Sequence, residues 1–306
     1  MMDKLQAMKT FVRVVEAGSF SAVAHETDTT QSAVSKQVAA LERELGAKLL
    51  TRTTRSLALT AEGANYFEQA RRLVAEIAEA EGALHRGAQR LTGWLRVGAS
   101  VGFGRMKLMP LVQSFLAAHR DVKIDLRLHD GLIDLVEQGI DVAVRIGELS
   151  DSSLIARRIG TTHRMLLAHR EYLCGLPKAS RTLRSPDELV HHNCIVYTEI
   201  AARNQWSFTA GAGAMEPVGT TRVVRVEGNL QTNSSEVMRA SILAGMGIGY
   251  SPTWLFDAEL ASGEVVQLLP DWQTVAFPIH LVSPQERKHS AKVKAFAEHV
   301  GRELGE

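Results

Sequence analysis

Thr29-Thr-Gln-Ser-Ala-Val-Ser-Lys-Gln-Val-Ala-Ala-Leu-Glu-Arg43 is the stretch from which the architecture of this chain follows. Val34, Val38, Leu41 and Leu45 recur at i, i+4, i+7 and i+11, one stripe of an α-helix. At about 100° per residue, Ser32, Ser35, Lys36, Ala39 and Arg43 fall on the opposite face. Thr29 or Thr30 is suited to cap the first turn, and Gly46 to end the helix as a C-terminal glycine. Hydroxyls, the amide of Gln31 and two cations, with small Ala39 between them, permit close approach to a polar, anionic surface. Helices that read base edges in the DNA major groove present their N-terminal side chains in this way. An isolated helix with such a face is more often merely solvated, so the flanking elements decide.

Upstream, Leu5, Met8, Phe11, Val12 and Val15 predict an amphipathic helix closed by Gly18. Ser19 or Ser21 can cap a short second helix carrying Ala22, Val23 and Ala24, and a turn over Thr27 to Thr30 leads into the quoted stretch. Two helices joined by a few residues, the second polar outward, form a helix-turn-helix. Downstream, Lys48-Leu-Leu-Thr-Arg52, the turn Thr53-Thr54 and Arg55-Ser-Leu-Ala-Leu-Thr60 predict a β-hairpin, a wing. Arg52 and Arg55 near its tip are placed for phosphates or a minor groove.

GSFSAVA, TQSAVSKQVAALERELGAKLL and RTTRSLALTAEG, densely spaced over the first sixty or so residues, resemble the winged helix-turn-helix of the LysR-type transcriptional regulators. The resemblance implies that Gln31, Ser32, Ser35 and Lys36 face bases or adjoining phosphates and that Arg52 and Arg55 serve the wing. The implied partner is double-stranded DNA, read as an interrupted palindromic operator. One departure stands out: the family usually has Leu-Gly-Val before the recognition helix, whereas this chain has Thr27-Asp28-Thr29. Asp can adopt the turn conformation that Gly takes easily, and Thr29 keeps the β-branched shape. Thr27 in place of a buried leucine is expected to cost the head up to several kcal/mol if the position is core.

From Ala61 to about Arg86 the chain has no proline and is rich in Ala, Glu and Arg. Phe67, Val74 and Glu81 share one heptad position, Ala70, Ile77 and Leu84 another. The stripe requires a partner: either the chain's own body or, as the resemblance also implies, the same helix of a second copy, giving a homodimer and by family a homotetramer. Phe67, Ala70, Val74, Ile77 and Leu84 are the expected dimer contacts.

The 306 residues exceed a usual single domain. A net charge of +1 supplies no global basic field, so any DNA affinity must come from a local patch. The N-terminal apolar run is broken by charges, unlike a signal peptide, and no stretch approaches the ~20 apolar residues that span a bilayer. A cytoplasmic protein without membrane association is expected. Cys174 and Cys194 lack metal-ligand spacing, and no nucleophile elbow or dinucleotide fingerprint appears. Neither an enzyme, nor a metal site, nor a cofactor is expected.

After Thr92-Gly93, strand and helix patterns alternate. Strands are predicted at Trp94 to Gly98, Val122 to Leu128 and Asp141 to Arg145, with helices at Met106 to His119 and Leu132 to Gln138. A second α/β region follows with helices at Ser235 to Ala244 and Trp254 to Ala261, before a strand at Phe277 to Val282 and a helix from about Ser290 return to the first. LVEQGIDVAVRIGEL and AGMGIGYSP resemble the two-lobed effector-binding domain of the LysR family, similar to periplasmic binding proteins. The whole reads as α/β: a winged helix-turn-helix over 1–62, a linker and dimerisation helix over 63–90, and a regulatory domain over 91–306. Lobe 1 is expected at about 91–163 and 269–306, lobe 2 at about 164–268.

Ligands of open α/β sheets bind near the carboxyl ends of strands, often at helix N-termini. The loops Ser100-Val-Gly-Phe-Gly104, Thr232-Asn-Ser234 and Gly247-Ile-Gly-Tyr-Ser251 fit, which selects Ser100, Asn233 and Ser251 as effector contacts, with Phe103, Ile146 and Tyr197 as lining. Two of these loops precede predicted helices, so a small anionic effector is expected. A ligand-responsive transcription factor is the favoured function; a solute-binding protein of the same two-lobed fold is the alternative.

Overall fold

The computed structural model describes residues 3–52, 57–84, 91–149 and 153–305. The chain divides into two compact units, Met1–Arg90 and Leu91–Glu306. Among the described residues no helix is long and apolar enough to cross a membrane.

The first unit contains α1 (Lys4–Ala17), α2 (Phe20–Glu26), α3 (Gln31–Leu45), the antiparallel strands β1 (Leu50–Arg52) and β2 (Leu57–Leu59), and α4 (Ala61–Leu84). Asp3, Ser19 and Thr30 cap the first three helices, their side-chain oxygens accepting the N–H of Gln6, Ala22 and Ala33. Ser19 and Thr30 are thus the caps, not Ser21 and Thr29. Gly18 and Gly46, at φ 64 and 67, end α1 and α3 in the left-handed conformation. Phe11, Val14, Val23, Val34, Val38, Leu41 and Leu49 are buried together.

Thr27 corrects one expectation. It is exposed at the end of α2, its hydroxyl donating to the Val23 carbonyl at 2.8 Å, so no core leucine is missing. Asp28 takes φ 51, the left-handed turn anticipated for it. Glu42, on the buried side of α3, fastens the wing. Its Oε1 accepts the N–H of Leu49 at 2.9 Å and of Leu50 at 3.2 Å, and its Oε2 accepts Lys48 Nζ at 2.7 Å. Burial alone would raise this carboxyl, but the Lys48 ammonium and the two backbone donors outweigh it and hold the group below its ordinary range.

The second unit opens with β3 (Gly93–Ala99), α5 (Val101–Phe103), a π turn over Gly104–Leu108 and α6 (Met109–Ala118). Then come β4 (Val122–Leu128), β5 (Val142–Ile146), β6 (Ile155–His169), α7 (Arg170–Gly175), β7 (Cys194–Tyr197), β8 (Gln205–Ala210), β9 (Thr221–Arg225) and β10 (Gln231–Thr232). It closes with α8 (Ser235–Leu243), β11 (Ile248–Pro252), α9 (Asp257–Ser262), β12 (Val265–Leu268), β13 (Trp272–Thr274), β14 (Ala276–Ser283) and α10 (Ala291–Leu304). Nine strands form one sheet in the order β10-β7-β11-β6-β14-β5-β3-β4, with β12 also on β6; β13, β8 and β9 form a smaller one.

The long strand β6 belongs to both lobes. Ile155 to His163 pair with β14, and from Arg164 onward the partner is β11. Lobe 1 packs β3, β5, β14, α6 and α10 around Phe115 and Phe296, and lobe 2 has Trp206, Phe208 and Tyr250 at its centre. Leu269 and Trp272 belong to this second core, and β13 pairs with β8. The return to lobe 1 therefore falls near Val275, not at 269 as expected.

Three predicted helices also change. Residues 132–138 are not helical: the Asp134 carboxylate takes the N–H of Val136 and Glu137, and Gly139, at φ 63, ends a single turn over 135–139. So short a segment cannot offset the cost of helix nucleation. The segment from Trp254 splits into a 3-10 turn, Thr253–Leu255, and α9. The helix expected from Met106 starts earlier, at Val101.

Candidate functional site

Helix α3 presents Gln31, Ser32, Lys36, Ala39 and Arg43 to solvent, with Ser35 partly buried among them. The opposite stripe is in the core, so the face predicted to read DNA is the one left open. A contact between the Thr10 hydroxyl and Gln37 Oε1, 2.7 Å apart, ties α3 to α1. The Arg52 backbone ends β1 opposite Leu57. The Arg52 side chain and all of Arg55 lie outside the described residues.

The linker stripe requires a correction. Ala70 is fully buried in the head's own core, and Phe67 and Val74 pack against the same core. Phe11 meets the Tyr66 ring at 5.8 Å and the Phe67 ring, edge-on, at 6.3 Å. The start of α4 thus covers α1, the alternative left open by the sequence, and Ala70 is closed to a second chain. Ile77 is only partly buried, and Leu73 is 47% exposed. The Leu84 side chain lies outside the described residues.

In the second unit a cleft of about 140 Å³ opens between the lobes. Ser100, Ile146, Tyr197 and Ser251 line it, as expected from sequence. Phe103 does not. It lies in the core of lobe 1, edge-on to Trp254 at 5.5 Å, and Trp254 reaches the cleft instead. Asn233 is exposed and away from the lining. Ser234 is the N-cap of α8, so the residue that faces the cleft is Ser235.

Sequence reasoning missed the charged residues of the cleft. Arg164 stands where β6 leaves β14 for β11. It donates to the Tyr250 carbonyl at 3.4 Å and lies 5.2 Å from the Tyr197 ring centre and 5.6 Å from that of Phe277. Among the described residues no carboxylate pairs with it. Burial pulls this guanidinium below its ordinary range, opposed by Tyr197, Tyr250 and the Asp130 charge. Burial likewise pushes the Tyr197 hydroxyl up. Arg145 donates to the Ile133 carbonyl at 2.6 Å and is also lowered by burial. Ser251 is 1% exposed, and its Oγ has no hydrogen-bond partner. An arginine inside each of the apolar strands VAVRI and THRMLLAH was the available signal.

The helix ends from which an anion site was expected are already filled. Asp130 Oδ1 accepts the Val101 N–H at 2.9 Å, and its Oδ2 accepts the Ser235 N–H at 2.7 Å. Neither cysteine belongs to the cleft lining. Cys194 is buried and its thiol is pushed up to about 12, which keeps it protonated and inert at neutral pH, whereas Cys174 is exposed.

A winged helix-turn-helix followed by a two-lobed, ligand-sized cleft defines a DNA-binding transcriptional regulator with an effector-binding domain. Residues 5–64 match the family described as bacterial regulatory helix-turn-helix protein, lysR family, and residues 88–305 match the LysR substrate binding domain. The chain is 32% identical over 297 residues to the uncharacterized HTH-type transcriptional regulator YhjC of Escherichia coli, covering 96% of each chain. It is 33% identical to the HTH-type transcriptional repressor PA14_22550 of Pseudomonas aeruginosa, covering 98% of this chain and 92% of that one. Its fold is similar to that of CrgA, a LysR-type regulator from Neisseria meningitidis, at TM-score 0.61 and 32% identity, with 98% and 99% of the two chains covered. The full-length Vibrio cholerae virulence activator AphB matches at TM-score 0.59 and 27% identity, with 97% and 98% covered. The chain belongs to the LysR family of transcriptional regulators. These relatives are regulators, not enzymes, and the matched head sets aside the solute-binding alternative.

Proposed function

We propose that this regulator reads an interrupted palindromic operator with Gln31, Ser32, Ser35 and Lys36 and answers to a small anionic effector seated on Arg164. The observation that carries the effector reading is a desolvated guanidinium in the cleft with no carboxylate partner among the described residues. Beside it, the unpartnered Ser251 hydroxyl offers a donor. The Asp130 charge offsets only part of the cost of burying this cation, which no carboxylate pairs directly among the described residues. A bound acid removes more of that cost. Tyr197, Trp254, Ile146 and Met238 supply apolar walls. A cleft of about 140 Å³ is close to the ~150 Å³ of a cavity that accepts benzene, so a single ring or a short carbon skeleton fits.

Calorimetric titration with a panel of small ring and chain carboxylates tests this. At least one should bind the wild-type protein, and Arg164→Met should weaken it roughly 10–100-fold, the loss of one charge-assisted hydrogen bond. A panel with no binder, or equal binding by the variant, would discard the anionic reading.

The assembly proposed is a homodimer through the outer part of α4, with a homotetramer as the larger form. Partly buried Ile77 and exposed Leu73, one turn apart on α4, support this reading, since both keep open apolar surface in one chain. Ile77→Asp would bury a carboxylate in the proposed seam. Sedimentation should then shift towards monomer, and an unchanged mass would move the dimer contact elsewhere.

A further inference from the structure

We propose that Asp130 is a built-in carboxylate ligand that latches the two lobes together without any effector. One carboxylate and one hydroxyl tie both lobes at this point. Besides the Val101 and Ser235 amides, Asp130 accepts the Ser235 hydroxyl, with Oγ 2.9 Å from Oδ2 and 3.1 Å from Oδ1. The same Oγ accepts the Gly102 N–H at 3.1 Å. Val101 and Gly102 open a helix of lobe 1, and Ser235 opens α8 of lobe 2. A Cβ at Gly102 would stand 2.8 Å from Leu255 Cδ2 and 3.1 Å from Ser235 Oγ, so glycine permits this approach.

Two further pairs span the same boundary, Arg105 with Glu236 at 3.1 Å and Lys107 with Asp257 at 3.0 Å. Both are exposed; the Lys107 pair is a single screened contact that contributes little, whereas Arg105 holds Glu236 through two bonds of 3.1 Å. The bonds to Asp130 are part-buried and charge-assisted, which makes them the stronger tie. The unpaired N–H groups of two helix starts are the natural seat of a free acid. Here the chain supplies that acid itself, and an external acid is left with Arg164. The latch does not rest on the effector reading, because none of its contacts is made by Arg164.

Hydrogen exchange of the full-length protein, read by mass spectrometry over 99–104 and 233–238, tests the latch. In Asp130→Ala both peptides should exchange about tenfold faster or more, while peptides of the lobe cores keep their protection. Added formate should slow exchange in both peptides again, whereas chloride at equal ionic strength should not. An unchanged rate over 233–238 would overturn the latch, because lobe 2 would then not depend on Asp130. Acceleration that formate leaves in place would overturn the carboxylate as the binding group. Should Asp130→Ala fail to fold, Asp130→Asn keeps one acceptor oxygen and loses the charge. Faster exchange over both peptides then supports the proposal, and wild-type rates overturn it. The Asp130 charge acts on Arg164, and formate is itself a small acid, so the formate arm is repeated in Asp130→Ala/Arg164→Met. Slowing that persists there belongs to the latch, and slowing lost with Arg164 overturns the carboxylate latch without touching the effector reading.

Discussion

Replacing Ser35 with glutamate is expected to abolish sequence-specific DNA binding, with a loss of about 100-fold or more in operator affinity. Ser35 sits on α3 between exposed Ser32 and Lys36, on the face turned away from the core. A carboxylate there meets phosphates and base acceptors, and a single unfavourable base-edge contact already costs ~1–3 kcal/mol. The substitution should leave the fold intact, since the packing of α3 rests on Val34, Val38 and Leu41. Fluorescence anisotropy with operator and unrelated DNA separates the effects. Lys36→Ala, in contrast, should weaken both DNAs alike and reduce the salt slope by ~0.9 if it contacts one phosphate. Intact operator binding by Ser35→Glu would move the reading face elsewhere.

Glu42→Ala should destabilise the wing and α3 by about 3 kcal/mol, because two backbone donors lose their acceptor and one of them, at Leu49, is buried. Glu42→Gln should cost only about 1 kcal/mol. Both backbone bonds go to Oε1, which the amide retains, and only the Lys48 contact at Oε2 is lost. The pH dependence follows from the lowered carboxyl. Its contribution is complete above the unfolded value near 4.3 and is lost as pH falls through the lower folded value. Wild type and Glu42→Gln should therefore converge in strong acid. Hydrogen exchange of peptides from α3 and β1 measures all three proteins, and equal stability of wild type and Glu42→Ala at neutral pH would refute the anchoring role.

The head was legible in the sequence because its determinants are local. Periodicity placed Val34, Val38 and Leu41 inside, and short-range caps such as Ser19 and Thr30 fixed the helix starts. The stripe of α4 was legible as apolar but not as to its partner, since a buried Ala70 looks the same in sequence whether its neighbour is Phe11 or a second chain. Four of six expected cleft residues line the cleft because strand ends converge there by topology. Phe103 and Asn233 failed on side-chain direction, which a loop sequence does not reveal. Asp130, Arg164 and Ser235 meet across long stretches of chain, and Asp130 follows β4 as an ordinary turn aspartate until α8 is folded against it.

The place of Arg164 on β6 has a mechanical consequence. His163 is the last β6 residue paired with β14 and Arg164 the first paired with β11, so the guanidinium springs from the crossing itself. When two bodies turn about a shared strand, points at the axle travel least and points at the rim travel most. The acid proposed for Arg164 would therefore sit beside one of the two crossings between the lobes, where it would bias their turn about β6 more than it would pull them across the cleft. The Asp130 contact joins loops and helix ends instead of the shared strand, so it ties the lobes at the rim and not at the crossing.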